Sequence, residues 1–102
     1  MSKPIIVDIP HQLGAAEAQR RIEQGFATFA AQVGGSAVAN VRHVWNDGQM
    51  TFSFVALGQS ITGAVDVQDT LARLEVTLPG ILGLMAEAIR GRVETQGRLL
   101  LK

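Results

Sequence analysis

Residues 40–78 read NVRHVWNDGQMTFSFVALGQSITGAVDVQDTLARLEVTL, and the alternation in this stretch decides the fold. Val41, His43 and Trp45 alternate with Asn40, Arg42 and Val44. Met50, Phe52, Phe54 and Ala56 share one side of the next segment, and Ile61, Gly63, Val65 and Val67 one side of the third. In the fourth, Ala72, Leu74, Val76 and Leu78 alternate with Arg73, Glu75 and Thr77. A period of two belongs to a strand with one dry and one wet face. The joints fit this reading. Asn46-Asp47-Gly48 tolerates the positive φ of a tight hairpin, Gly58-Gln59 suits a type II′ turn with glycine first, and residues 68–70 turn the chain again. Four strands in an antiparallel meander are predicted.

The flanks supply the other elements. Ile5, Val7 and Ile9 alternate with Ile6 and Asp8 between two prolines, which predicts a strand placed where a missing N–H does no harm. Gly14 opens a helix with Glu17 three residues on, the spacing of a capping box, and Gly34-Gly35 stops it. Ala18, Ile22, Phe26, Phe29 and Val33 form its apolar stripe, while Glu17, Arg20, Arg21 and Glu23 face water. Gly25, unfavourable inside a helix by about 1 kcal/mol, is read as a point of close packing against the sheet. After Pro79-Gly80 a last helix is predicted, with Leu82, Met85, Ile89, Val93, Gln96 and Leu100 inward and Glu87, Arg90, Glu94 and Arg98 outward. The order β-α-β-β-β-β-α predicts an α+β fold. It is a curled antiparallel sheet of about five strands with two helices on one face, a shortened helix-grip shape.

Length and composition narrow the classes. A chain of 102 residues, 47% of them hydrophobic, suits one domain spanning 1–102 with a core of its own. Cysteine is absent, which removes disulfides, thiolate metal sites and a cysteine nucleophile. Nine basic and nine acidic residues cancel, so the concentrated positive field of a nucleic-acid binder is missing. Residues 24–41 carry no charge but hold two Gln, three Gly and an Asn, too polar to span a bilayer. Met1-Ser2-Lys3-Pro4 is not followed by a long apolar run, so no secretory signal is expected and a cytoplasmic location is.

No motif points to catalysis. His11 lies in a loop and His43 in a strand, without metal-ligand spacing; His11 is read as a cap of the strand-to-helix turn and His43 as a hydrogen-bonded residue at the core edge. Ser36, Ser53 and Ser60 lack the context of an activated nucleophile. Asp66, Asp69, Glu87 and Glu94 read as solvated charges. No cofactor motif is present, no metal site is expected, and the chain is expected not to be an enzyme.

Two groups of apolar residues are candidates for contact. A helix over residues 80–101 would be roughly 33 Å long against about 23 Å for a seven-residue strand, so its end should overrun the sheet. Arg98-Leu99-Leu100-Leu101-Lys102 carries three adjacent leucines, which cannot all face one side of a helix. Leu99, Leu100 and Leu101 are therefore candidate contacts with a partner, a homodimer being one outlet. Trp45, Phe52 and Phe54, with Met85 from the last helix, either fill the core or line an apolar pocket.

With these residues in hand, the chain resembles the polyhydroxyalkanoic acid system proteins. The resemblance rests on the start from Pro4 to Gly14 with Glu17-Ala18 and Arg21-Ile22, and on Phe52-Ser53-Phe54, Ala56-Leu57-Gly58 and Thr62-Gly63. It continues in Leu78-Pro79, Ile89-Arg90-Gly91-Arg92 and the run from Gln96 to Leu100. It implies a non-catalytic binding protein of polyhydroxyalkanoate storage, associated with the granule surface or with granule proteins, with Arg92, Leu99, Leu100 and Leu101 as candidate contacts with that surface or partner. The alternative is a carrier of a small apolar ligand such as a hydroxyacyl chain, held in a cavity between sheet and helix.

Overall fold

In the computed structural model, residues 3–35, 38–56 and 58–102 are described; Met1-Ser2 and the serine at 36 considered above lie outside them. The chain runs β1 (Lys3–Pro10), α1 (Ala15–Gly34), β2 (Ala39–Asn46), β3 (Gln49–Ala56), β4 (Gln59–Val67) and β5 (Leu71–Leu78). A 3₁₀ segment (Gly80–Met85) and α2 (Ala86–Leu100) complete it. The five strands form one open antiparallel sheet in the order β1-β5-β4-β3-β2. The meander is as the alternation predicts, and β1 adds itself antiparallel to β5, pairing Ile5 with Val76 and Val7 with Leu74. The α+β class and the placement of both helices on one face therefore hold.

The predicted dry faces of β1, β3, β4 and β5 are largely buried, while β2 at the sheet edge has only His43 and Trp45 half-covered. Ile5, Val7, Ile9, Met50, Phe52, Phe54, Ile61, Val65, Leu74, Val76 and Leu78 point toward the helices, which answer with Ala18, Ile22, Phe26, Phe29, Val33, Ile89 and Val93. The opposite face is open and carries Thr51, Thr62, Glu75 and the Asp8–Arg73 pair at 2.7 Å. The β2–β3 hairpin closes through Asp47 and Gly48, both at positive φ, as a two-residue turn with that twist requires.

Several local expectations change. Gly58 is the second residue of its turn, not the first, because Ala56 pairs with Gln59 and Gln59 already belongs to β4. Helix α1 has no capping box: Gly14 has no side chain to offer, and Glu17 is taken by Arg20 and Arg21 at 2.5 and 2.9 Å. The first free amide, Ala15 N–H, donates instead to Asp69 Oδ1 at 3.1 Å, so Asp69 is a helix cap supplied from the β4–β5 turn rather than a free surface charge. Gly25 packs against α2 and not against the sheet; a Cβ there would fall on Leu100 Cδ2. Val41, expected on the dry face, is exposed near the start of β2, where the β2–β3 register shifts between Ala39 and Arg42 and Asn40 has φ of 55°.

The last helix is also shorter than predicted. It is broken at Ala86, and its 15 residues span roughly 22 Å, within the reach of an eight-residue strand at about 26 Å. The preceding six residues wind at three per turn, which moves side chains roughly a third of a turn out of the α-helical phase. Met85, in phase with Ile89 on paper, stands at the junction of the two windings with φ of −101° and ψ of 16°, and is 47% exposed while Ile89 is buried.

Candidate functional site

Three places gather the residues that sequence reasoning singled out. The first is the C-terminal end of α2. Leu101 is buried, Leu100 is half-buried over Gly25, and Leu99 is 56% exposed. The end is fastened from two sides. The Arg21 guanidinium donates to the backbone oxygen of Lys102 at 2.5 Å, and Gly97 lets α2 settle on Ile9, where any Cβ would collide. Between β1 and α2 a groove of about 380 Å³ opens, lined by Ile9, Pro10, Thr95, Leu99 and Leu101, with Arg98 and Lys102 at its rim. Arg98 is paired with Glu94 at 3.0 Å, the i,i+4 pair that the spacing predicts. Arg92 is exposed on the outer side of the same helix. Of the four proposed contact residues, Arg92 and Leu99 are thus open to a partner, while Leu100 and Leu101 are spent on internal packing.

The second place is the proposed apolar pocket, whose four residues do not converge. Phe52 and Phe54 are buried, with ring centroids 6.1 Å apart, and Phe26 packs on Phe52 at 5.1 Å. Trp45 is only half-buried on the edge strand. Met85 points to solvent. The closed space between helices and sheet lies elsewhere, among Ile22, Phe26, Phe29, Val65, Leu74, Gly97, Leu100 and Leu101, and measures about 10 Å³. That is about the space of one water probe, and it is walled by apolar groups. A hydroxyacyl chain has no room there unless the helices part.

The third place escaped the sequence reading. His43 and Trp45 face the helices from β2, and Glu23, assigned to water by periodicity, reaches both. Its Oε2 accepts from Trp45 Nε1 at 2.7 Å and lies 2.6 Å from His43 Nε2. The Trp45 hydrogen bond, seconded by that of His43, holds the Glu23 carboxyl below its usual range. Phe26 closes the other side of His43, with centroids 5.5 Å apart. The signal available in the sequence was the pair of N–H-bearing rings two residues apart on a helix-facing side, which need an acceptor from the helix. This trio ties an edge strand to α1. Ser53 lies on the opposite face of the sheet, so no hydroxyl nucleophile from β3 reaches His43.

His11 is the one buried charged or polar side chain among the described residues. Its Nδ1 accepts from Leu13 N–H at 3.2 Å and its Nε2 donates to the Gln68 carbonyl at 3.0 Å, which fixes a neutral tautomer and uses both nitrogens. The cap read from its position is the role it fills. Among the described residues no three His, Asp or Glu side chains group as metal ligands, and no helix is long and apolar enough to cross a membrane.

Comparison with known proteins gives one decisive finding. The family model described as "Putative polyhydroxyalkanoic acid system protein" matches residues 5–101. No curated protein matches the chain. Among solved structures it is similar to "Crystal structure of Ara h 8.0201", at 8% identity and a TM-score of 0.35, over 95% of this chain and 98% of that one. A likeness that loose carries no functional argument. The family model, which spans nearly the whole chain and so every element described above, does: this chain belongs to the polyhydroxyalkanoic acid system protein family.

Proposed function

We propose that the protein is a non-catalytic binding protein of polyhydroxyalkanoate storage, associating with the granule surface or with a protein that coats it. The observation that carries this reading is the exposure of apolar side chains on the C-terminal segment. Leu84, Met85 and Leu99 are exposed there at 87%, 47% and 56%, whereas the other exposed large apolar residues among those described, Ile6, Val41 and Val44, lie on β1 and β2, Ile6 opposite Glu75 and Val44 opposite Thr51. A storage polyester presents an ester-bearing aliphatic surface, and its attraction for such side chains is the ordinary gain from removing apolar area from water. Arg90 and Arg92 of α2 are exposed, and side chains of this kind can lay their stems along an apolar surface while their heads stay wet.

The test is sedimentation of the purified protein with polyhydroxyalkanoate granules, native coat intact in one arm and stripped in the other. Pelleting with either supports the reading, and the arm in which it occurs separates a surface from a protein partner. A folded protein that stays in the supernatant of both would remove it.

A further inference from the structure

The 3₁₀ segment between β5 and α2 stands apart from the rest of the surface. From Val76 to Ala86 eleven consecutive residues carry no charge, bounded by Glu75 and Glu87. Within this run Leu78 and Leu82 are buried and hold the segment to the core, while Leu84 and Met85 turn outward. Among the described residues Leu84 is the most exposed large apolar side chain, and no ion pair lies within the run. Leu99 is different. It is flanked by Arg98, itself paired with Glu94, and by Lys102 across the groove.

We propose that the Leu84–Met85 tip is the element that enters an apolar phase, the aliphatic polyester surface, and that Leu99 is not. This inference rests on the binding role proposed above and names the contact. The occupant follows from area and charge. A stable dimer hides about 800 Å² per partner and some 20 to 30 residues a side, far more than two side chains supply, so a second copy is not held by the tip. Insertion into an apolar phase needs no such area, because its gain accrues side chain by side chain. A charge-free tip also enters a neutral polyester without desolvating an ion, which the Arg98–Lys102 end could not do.

The chain has no cysteine, so single-cysteine variants label cleanly. Leu84→Cys and Leu99→Cys, each carrying a polarity-sensitive fluorophore, are mixed with stripped polyester particles and with neutral and anionic phospholipid vesicles. Unlabelled wild type, Leu84→Asp and Leu99→Ser are sedimented with the same particles. The expected result is a blue shift at 84 with polyester and none at 99, with binding reduced at least about tenfold by Leu84→Asp and left intact by Leu99→Ser. Because Leu84 barely touches the core, its variant should melt with the wild type, which separates lost binding from lost folding. Wild type and Leu84→Asp pelleting alike would overturn the inference and leave the binding role standing, as would pelleting with coated granules alone. Stronger binding to vesicles than to polyester would overturn it in favour of a lipid surface. A dimer that Leu84→Asp converts to monomer would overturn it in favour of a second copy. Failure of wild type to bind coated and bare granules alike would remove both proposals.

Discussion

The two ends of the C-terminal segment begin from similar sequence and meet opposite fates. Residues 99–101 are three leucines in a row, and residues 81–85 read Ile-Leu-Gly-Leu-Met. At the first end, glycines on two neighbouring helices make room: Gly25 receives Leu100, Gly97 receives Ile9, and Leu101 closes over the core. At the second, Leu82 finds cover while Leu84 and Met85 are left exposed. Apolar composition is equal to the task at both ends. What differs is whether a facing backbone lies near enough, without a Cβ between, to be touched. Contact with a partner is therefore expected where the fold has failed to cover its leucines, and not where the sequence has most of them.

The sharpest way to break this comparison is truncation. Leu101→Ala should lower unfolding stability in urea by about 2–5 kcal/mol, as for a fully buried leucine, while Leu84→Ala should change it by no more than about 0.5 kcal/mol. Equal effects would mean that the two ends are not packed as described. Glycine replacement sharpens the same contrast. Gly25→Ala drives a methyl into Leu100 and should cost about 1–3 kcal/mol. Gly91→Ala, on the open side of α2 with nothing near it, should instead stabilise the helix by up to about 1 kcal/mol. A gain at both positions would dissolve the claim that α1 and α2 meet backbone to side chain at Gly25.

Amide exchange offers a smaller readout. Protection of Leu101 N–H, which donates to the Gly97 carbonyl at 3.2 Å, should exceed that of the amides at 83 and 84 by about tenfold or more. Similar protection would place the tip in the same cooperative unit as the fastened end.

The smallest expected effect is electrostatic and tests the fastening helix. Hydrogen bonds from Arg20 and then Arg21 draw the Glu17 carboxyl from its ordinary 4.5 down to about 2. A folded value below the unfolded one means that this contribution is fully present above about pH 4.5 and is lost as pH falls toward 2. Glu17→Gln should therefore flatten the decline of stability across that window. Asp8, held down by Arg73, and Glu23, held down by Trp45 and His43, titrate in both chains and leave a residual slope. Parallel curves for the two chains would show the pairs to be solvated and idle, as exposed pairs often are.

Much of the fold was legible because strands announce themselves locally. Alternation at Met50, Phe52, Phe54 and Ala56, and at Ala72, Leu74, Val76 and Leu78, assigns each residue a face before any partner is known, and the register then follows from the turns. The candidate site was less legible. Glu23 looked like a surface charge because helical period separates wet from dry but does not see that an edge strand passes beneath its rim. Asp69 looked solvated because its partner, the Ala15 amide, lies 54 residues away in sequence. Met85 looked buried because one continuous helix was read from Pro79-Gly80 onward, whereas the backbone changes from 3₁₀ to α winding at Met85, with φ of −101° and ψ of 16°.

The sequence by itself determined the strands and first helix, the dry faces of β1, β3, β4 and β5, the helix stripe from Ala18 to Val33 and the family, since these depend on patterns of neighbours along the chain. Tertiary structure decided which leucines are covered, which carboxylates have partners and where the last helix begins. Those outcomes depend on distances between residues far apart in sequence, set by glycines at 25 and 97 whose missing side chains say nothing until another element is brought against them.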